Sequence, residues 1–250
     1  MSWKDNIYFI LIEPKEAGNI GASARALKNM GFKNLRIVRS GEFIVDEARW
    51  LAHNALDVLE AALRFDSFAD AVSDMSFVAG TTRRKGRTRG IFMELRDAAA
   101  KISAEAVSNK VAVVFGRESR GLLNEEVDEC GFLITIPANR EQPSLNLAQA
   151  VLLTAYELSM SGRSSLPEDK KSKDKRVCQE ELQRLYSRTT ALLRTLEYIP
   201  KGNLDMEKKI MVNIKHFVGR SGITDWELKM LHGIITRIER ILKLKADGRC

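Results

Sequence analysis

Cysteine is scarce in this chain. Its 250 residues include three, Cys130, Cys178 and Cys250, an odd number with no two close together. That composition disfavours a disulfide framework and a zinc ribbon, and reduced thiols in a cytoplasmic protein are the expectation. Histidine is equally rare. His53, His216 and His232 lie far apart with no metal-ligand spacing, so no metal is expected. Long apolar runs are missing as well. The first run, "IYFILI", is too short to span a membrane, and no cleavage site follows it. It reads as a strand, and no membrane association is expected.

Familiar fingerprints are absent too. The loop after that first strand holds "GNIG" in place of G-x-G-x-x-G, without an acidic residue placed for a ribose. Neither G-x-x-x-x-G-K-[ST] nor G-x-S-x-G occurs. A Rossmann oxidoreductase, a P-loop NTPase and a serine hydrolase are thereby disfavoured.

What is present is a globular composition, 44% hydrophobic and 29% charged, with a net charge of +7. The positive excess favours polyanionic partners such as nucleic acid. The length allows one large domain, or a medium domain and a small one. Through the first two thirds, strands and helices alternate. The runs "NIYFILIE", "LRIV", "SFVAG", "VAVVFG" and "FLITIP" read as strands. They are almost wholly apolar rather than alternating, as in a parallel sheet covered on both faces. Between them the patterning predicts a helix capped by Asn19 and stopped by Gly31, and a long helix over 47–63. A short helix is predicted over 67–73, with Ser67 and Asp70 at capping-box spacing. Ser144 is expected to cap a further helix running to about 161. This doubly wound α/β domain covers residues 1–162. A segment rich in Ser, Lys and Asp, 163–176, reads as a linker. Residues 177–250 hold three helical stretches, with Leu182, Leu185, Tyr186, Leu192, Leu228, Ile235 and Ile238 among the positions at helix spacing. They form a small all-α unit expected to pack on the first domain or on a second subunit.

In an open parallel sheet, ligands bind beyond the carboxyl ends of the strands. That rule selects the loops at 13–19, 80–90, 116–124 and 137–143, and a less conspicuous one at 39–41. The second contains "TTRRKGRTRG", with Arg83, Arg84, Lys85, Arg87 and Arg89 crowded together. Charges this dense repel one another unless an anion neutralises them, so phosphate contact is the expectation. The third, "FGRESRGL", reads either as a salt-bridged turn or as a loop wrapped around a small molecule.

Three segments carry a resemblance. "EPKEAGNIGASARALKNMGF", "VVFGRESRGLLNEE" and "IPANREQPSLNLAQAVLLTAYEL" resemble the three motifs of SpoU-type RNA 2'-O-ribose methyltransferases of the SPOUT superfamily, in the expected order. The strand-first start and helical extension resemble the TrmJ branch, whose members methylate the ribose at position 32 of the tRNA anticodon loop. The resemblance implies a parallel-sheet SPOUT fold with a deep trefoil knot over about 116–158, a homodimer with an active site built from both subunits, and S-adenosylmethionine as methyl donor. It implies cofactor contacts by Thr81, Thr82, Arg83, Gly116, Ile136, Ser144, Leu145 and Asn146, with Gly116 clearing space for the cofactor. It assigns catalysis to Arg25, with Asn19 and Ser144, and leaves Arg84, Lys85, Arg87 and Arg89 for RNA. Arg25 acts either as a base or as a charged clamp; a guanidinium holds its proton so firmly that the clamp is physically easier. Other expectations stand beside these: a target at another tRNA position or in rRNA, or an RNA-binding module whose active site has decayed.

Overall fold

A computed structural model describes residues 2–84, 90–139, 141–164, 175–199 and 204–246. Its seven strands are β1 (Ile7–Ile12), β2 (Asn34–Val38), β3 (Leu63–Phe65), β4 (Phe77–Thr81), β5 (Phe92–Glu94), β6 (Val111–Phe115) and β7 (Phe132–Thr135). They form one sheet in the order β3-β2-β1-β6-β4-β7-β5, and every pairing is parallel. Along β1, Ile7, Phe9 and Leu11 enter one core while Ile10 and Ile12 enter another. Both faces need apolar side chains, which explains the unbroken apolar runs. The first core is closed by α1 (Ala17–Asn29), α2 (Asp46–Ala52), α3 (Leu56–Glu60), α5 (Leu95–Glu105) and α7 (Leu147–Ser164). The second is closed by the short α4 (Phe68–Val72) and α6 (Asn124–Asp128).

Local signals predict several boundaries. Ser67 Oγ accepts from the Asp70 amide at 3.1 Å, and Gly31 leaves α1 with φ +75°. Others differ. The helix expected over 47–63 is broken. It stops at Ala52, His53 turns through φ 51°, and residues 63–65 instead form β3, paired with β2. Helix resumes as α3 beyond the break, and only Leu63, the last position of the expected helix, is taken by the strand. Asn19 lies inside the first turn of α1, whose cap position is Glu16. Asn146, not Ser144, caps α7: its Oδ1 accepts from the Ala148 amide at 2.9 Å.

Beyond α7, α8 (Gln179–Thr195), α9 (Leu204–Gly219) and α10 (Asp225–Ala246) enclose their own core around Leu182, Leu185, Tyr186, Leu228 and Ile235. This unit sits on the first domain at the amino ends of the strands. The Gln179 amide donates to Met75 O at 2.8 Å, and the Arg176 amide donates to Asn109 Oδ1 at 2.9 Å. The backbones of Gly131 and Gly219 are in such close contact that a Cβ on Gly131 would lie 2.1 Å from Gly219 O.

Candidate active site

Parallel pairing brings the carboxyl ends of all seven strands to one edge, opposite α8–α10. Strand β6 enters the sheet between β1 and β4, so the loop that follows it emerges at the centre of that edge. A cleft of about 150 Å³ opens there. Residues 81–84 form one wall and 115–122 another, and Ile136 with 143–145 completes it over Leu147 and Ala150. Seven of the eight residues expected to touch cofactor line it: Thr81, Thr82, Arg83, Gly116, Ile136, Ser144 and Leu145. Asn146 does not, because its side chain is occupied in capping α7. Arg84, expected to meet RNA, also lines the cleft. Lys85, Arg87 and Arg89 lie outside the described residues.

The wall at 116–121 is a tight hairpin. Arg117 and Gly121 exchange backbone hydrogen bonds of 3.3 and 2.8 Å, and Gly121 turns the chain with φ +67°. A Cβ on Gly116 would lie 2.2 Å from Gly121 C and 2.3 Å from Leu122 N. Gly116 lines the cleft, and it is also where the glycine lets the chain pass over itself.

Arg117, 4% exposed, anchors the hairpin from beneath. Its guanidinium donates to Glu13 at 2.6 and 2.7 Å and to Glu126 at 2.9 and 3.0 Å. Hydrogen bonding to Arg117 holds the Glu13 carboxyl down at about 2. Glu118 pairs with neither neighbouring arginine. It accepts from the Lys15 amide at 3.1 Å and from Asn19 Nδ2 at 3.2 Å. Asn19 Oδ1 in turn accepts from Asn146 Nδ2 at 2.9 Å. One short chain, Glu118–Asn19–Asn146, thus ties together the three motifs read from the sequence. Asn19 is 7% exposed, and its amide is satisfied on both sides. Its observed work is to set the loop positions.

A model of the SpoU rRNA Methylase family matches residues 6–156. The chain belongs to this family. Among its SpoU relatives, the tRNA (cytidine/uridine/adenosine-2'-O-)-methyltransferase TrmJ of Pseudomonas aeruginosa is 36% identical, with 96% of each chain covered. The crystal structure of TrmJ from Z. mobilis superposes with a TM-score of 0.79 at 30% identity, covering 93% of this chain and 98% of that one. The SpoU methyltransferase AviRb of Streptomyces viridochromogenes, solved with the cofactor AdoMet, shares the fold at 20% identity and TM-score 0.52 over 64% of this chain and 62% of its own.

Two features of this SpoU chain are not completed by the cleft. Arg25 is exposed on α1, outside the cleft, and makes no ion pair with another described residue. Helix α7 is apolar almost all round. One side is buried through Leu147, Val151, Ala155 and Leu158, yet Leu152, Leu153, Tyr156 and Met160 are 39–47% exposed on the other. Among the described residues, no group of three or more His, Cys, Asp or Glu is arranged to hold a metal, and no helix is long and apolar enough to cross a membrane.

Proposed function

We propose that this protein transfers a methyl group from S-adenosylmethionine to the ribose 2'-hydroxyl of a tRNA nucleotide, cytidine or uridine at position 32 of the anticodon loop. The convergence of seven of the residues expected to touch cofactor, from three separate loops, on one cleft at the carboxyl edge carries the reading. The names of the TrmJ relatives support tRNA over rRNA, although the matched family description names rRNA. The reading includes the trefoil knot over about 116–158.

The cleft suits the cofactor. Ile136 and Leu145 offer partly exposed apolar surface for a flat base, beside the main chain of the 116–121 hairpin. When bound, S-adenosylmethionine supplies an electrophilic methyl carbon. The protein must align the 2'-oxygen with that carbon, and alignment contributes up to about 7–11 kcal/mol in the best cases. Ser144 is exposed at the cleft and makes no hydrogen bond to another described residue, so its hydroxyl is available to orient the ribose hydroxyl. A charged Arg25 then stabilises the nascent alkoxide or holds the adjacent phosphate.

Arg25 reaches that position from a second copy of the chain. The exposed face of α7 is the dimer surface, and α1 packs beside α7 within each subunit.

Mapping 2'-O-methyl groups in tRNA from a deletion strain tests the assignment. The position-32 methyl should disappear and be restored in vitro by the purified protein with S-adenosylmethionine. Unchanged tRNA would refute it and favour the rRNA reading; loss at another tRNA site would support the alternative-position reading.

A further inference from the structure

A second cavity, of about 290 Å³, opens at the same edge on the far side of the 116–121 hairpin. It shares Arg117, Ser119 and Arg120 with the cofactor cleft. Its remaining walls come from the ends of β1 and β2, including the loop at 39–41. Glu13 is the lone carboxylate among its lining residues, against Lys15, Arg39, Arg117 and Arg120.

The charges are unevenly spent. Glu13 is held by Arg117 at 2.6 and 2.7 Å and reaches Arg39 only at 3.4 Å. Glu126 takes the rest of Arg117 from behind, and Glu118 is engaged by the Lys15 amide and by Asn19. The Lys15 ammonium and the Arg120 guanidinium form no ion pair with a described residue. Both are exposed, and the Arg39 side chain is 52% exposed.

The backbone here is also unusual. Glu13 and Arg39 have φ of 45° and 50°, a left-handed conformation costly for side chains of this size. Each is pinned: the Glu13 amide donates to Val38 O at 2.8 Å and the Arg39 amide to Phe65 O at 2.9 Å. Strain of this kind persists where surrounding structure enforces it, and it concentrates at binding sites. Small residues, Ser40, Gly41 and Ser119, leave the cavity open.

We propose that this cavity is a phosphate subsite for the RNA strand, in which Lys15, Arg39 and Arg120 seat a backbone phosphate near the target nucleotide. Cationic side chains around an open cavity beside the methyl-donor cleft fit an oxyanion carried by the substrate. The inference rests on the methyltransferase reading above.

The test uses full-length protein carrying Arg39→Ala or Lys15→Ala, with Arg39→Gln as a milder variant in case the first folds poorly. Three quantities are read: tRNA affinity across a salt series, KM and kcat for methylation, and S-adenosylmethionine affinity by calorimetry. Each substitution should weaken tRNA binding about tenfold and lower the slope of log K against log salt by about 0.7–0.9. KM should rise more than kcat falls, and S-adenosylmethionine affinity should hold. Unchanged tRNA affinity and salt slope in a folded variant would overturn the proposal. So would weakened S-adenosylmethionine binding with unchanged salt slope, which would make the cavity an extension of the cofactor cleft. A wild-type protein that binds neither ligand would instead overturn the methyltransferase reading itself.

Discussion

At Gly116 the end of β6 passes its own returning chain at a distance no side chain tolerates. An added methyl group would meet main-chain atoms of Gly121 and Leu122, which cannot rotate aside as a side chain could. Gly116→Ala should therefore destabilise the fold by about 3 kcal/mol, the upper end for overpacking, as read by denaturant titration. Wild-type stability with only cofactor affinity lost would leave Gly116 the cofactor-clearing role alone. The sequence showed a glycine in a loop after a buried strand. It did not show what lay across from it, because Gly121 and Leu122 reach that place only through the hairpin. The same holds for "GNIG". A Cβ on Gly21 would lie 2.0 Å from Ala48 O, so this glycine lets α1 and α2 touch.

Among the elements, the 116–121 hairpin depends on one buried guanidinium held by two carboxylates. Glu13 is depressed to about 2, chiefly by its hydrogen bond to Arg117. A carboxyl depressed on folding stabilises the protein above its unfolded value, near 4.5, and that contribution disappears as pH falls toward 2. The ceiling is about 3 kcal/mol by linkage, lowered because the Glu13 side chain is 30% exposed. Glu13→Gln should lower the melting temperature at pH 6–7, and the gap from wild type should close between pH 4.5 and 2. A gap independent of pH would contradict this. Elements with long apolar runs or a cap were legible in the sequence, as β1 and α4 show. The helical pattern over 47–63 does not show the break at His53, where the backbone turns through φ 51°, nor that its last position, Leu63, pairs with β2, a contact absent from any local window. The Ser144 hydroxyl suits a helix cap, yet the oxygen that accepts the α7 amides belongs to Asn146.

For the whole molecule, the single chain leaves an exposed apolar face on α7 and an exposed Arg25 that lies outside the cleft and makes no ion pair with another described residue. The dimer through α7 proposed above accounts for both. Two inactive proteins should then complement each other. Arg25→Ala lacks the cation, and a variant such as Leu145→Asp, which places a charge in the cleft wall, lacks the cofactor site. In a mixture of the two, half the dimers are mixed, each with one site of two intact, so activity should recover to about a quarter of wild type. No recovery in a mixture shown by mass spectrometry to contain mixed dimers would place Arg25 in its own subunit's site. The helices α8–α10 pose a separate geometric problem. They lie at the amino ends of the strands, away from the cleft of their own subunit, so any contact they make with the same RNA needs a substrate that spans the sheet or a second subunit.

The sequence alone determined the layered parallel sheet, the edge where ligands bind and the residue types gathered there. Those follow from side-chain burial on two faces and from strand direction, both written in local patterns. Only the tertiary structure decided why Gly116 must be glycine, that Glu118, Asn19 and Asn146 form one chain, and that the loop at 39–41 joins Lys15 and Arg120 around a second cavity. These depend on distances between segments far apart in sequence, which are set when β6 enters the sheet between β1 and β4.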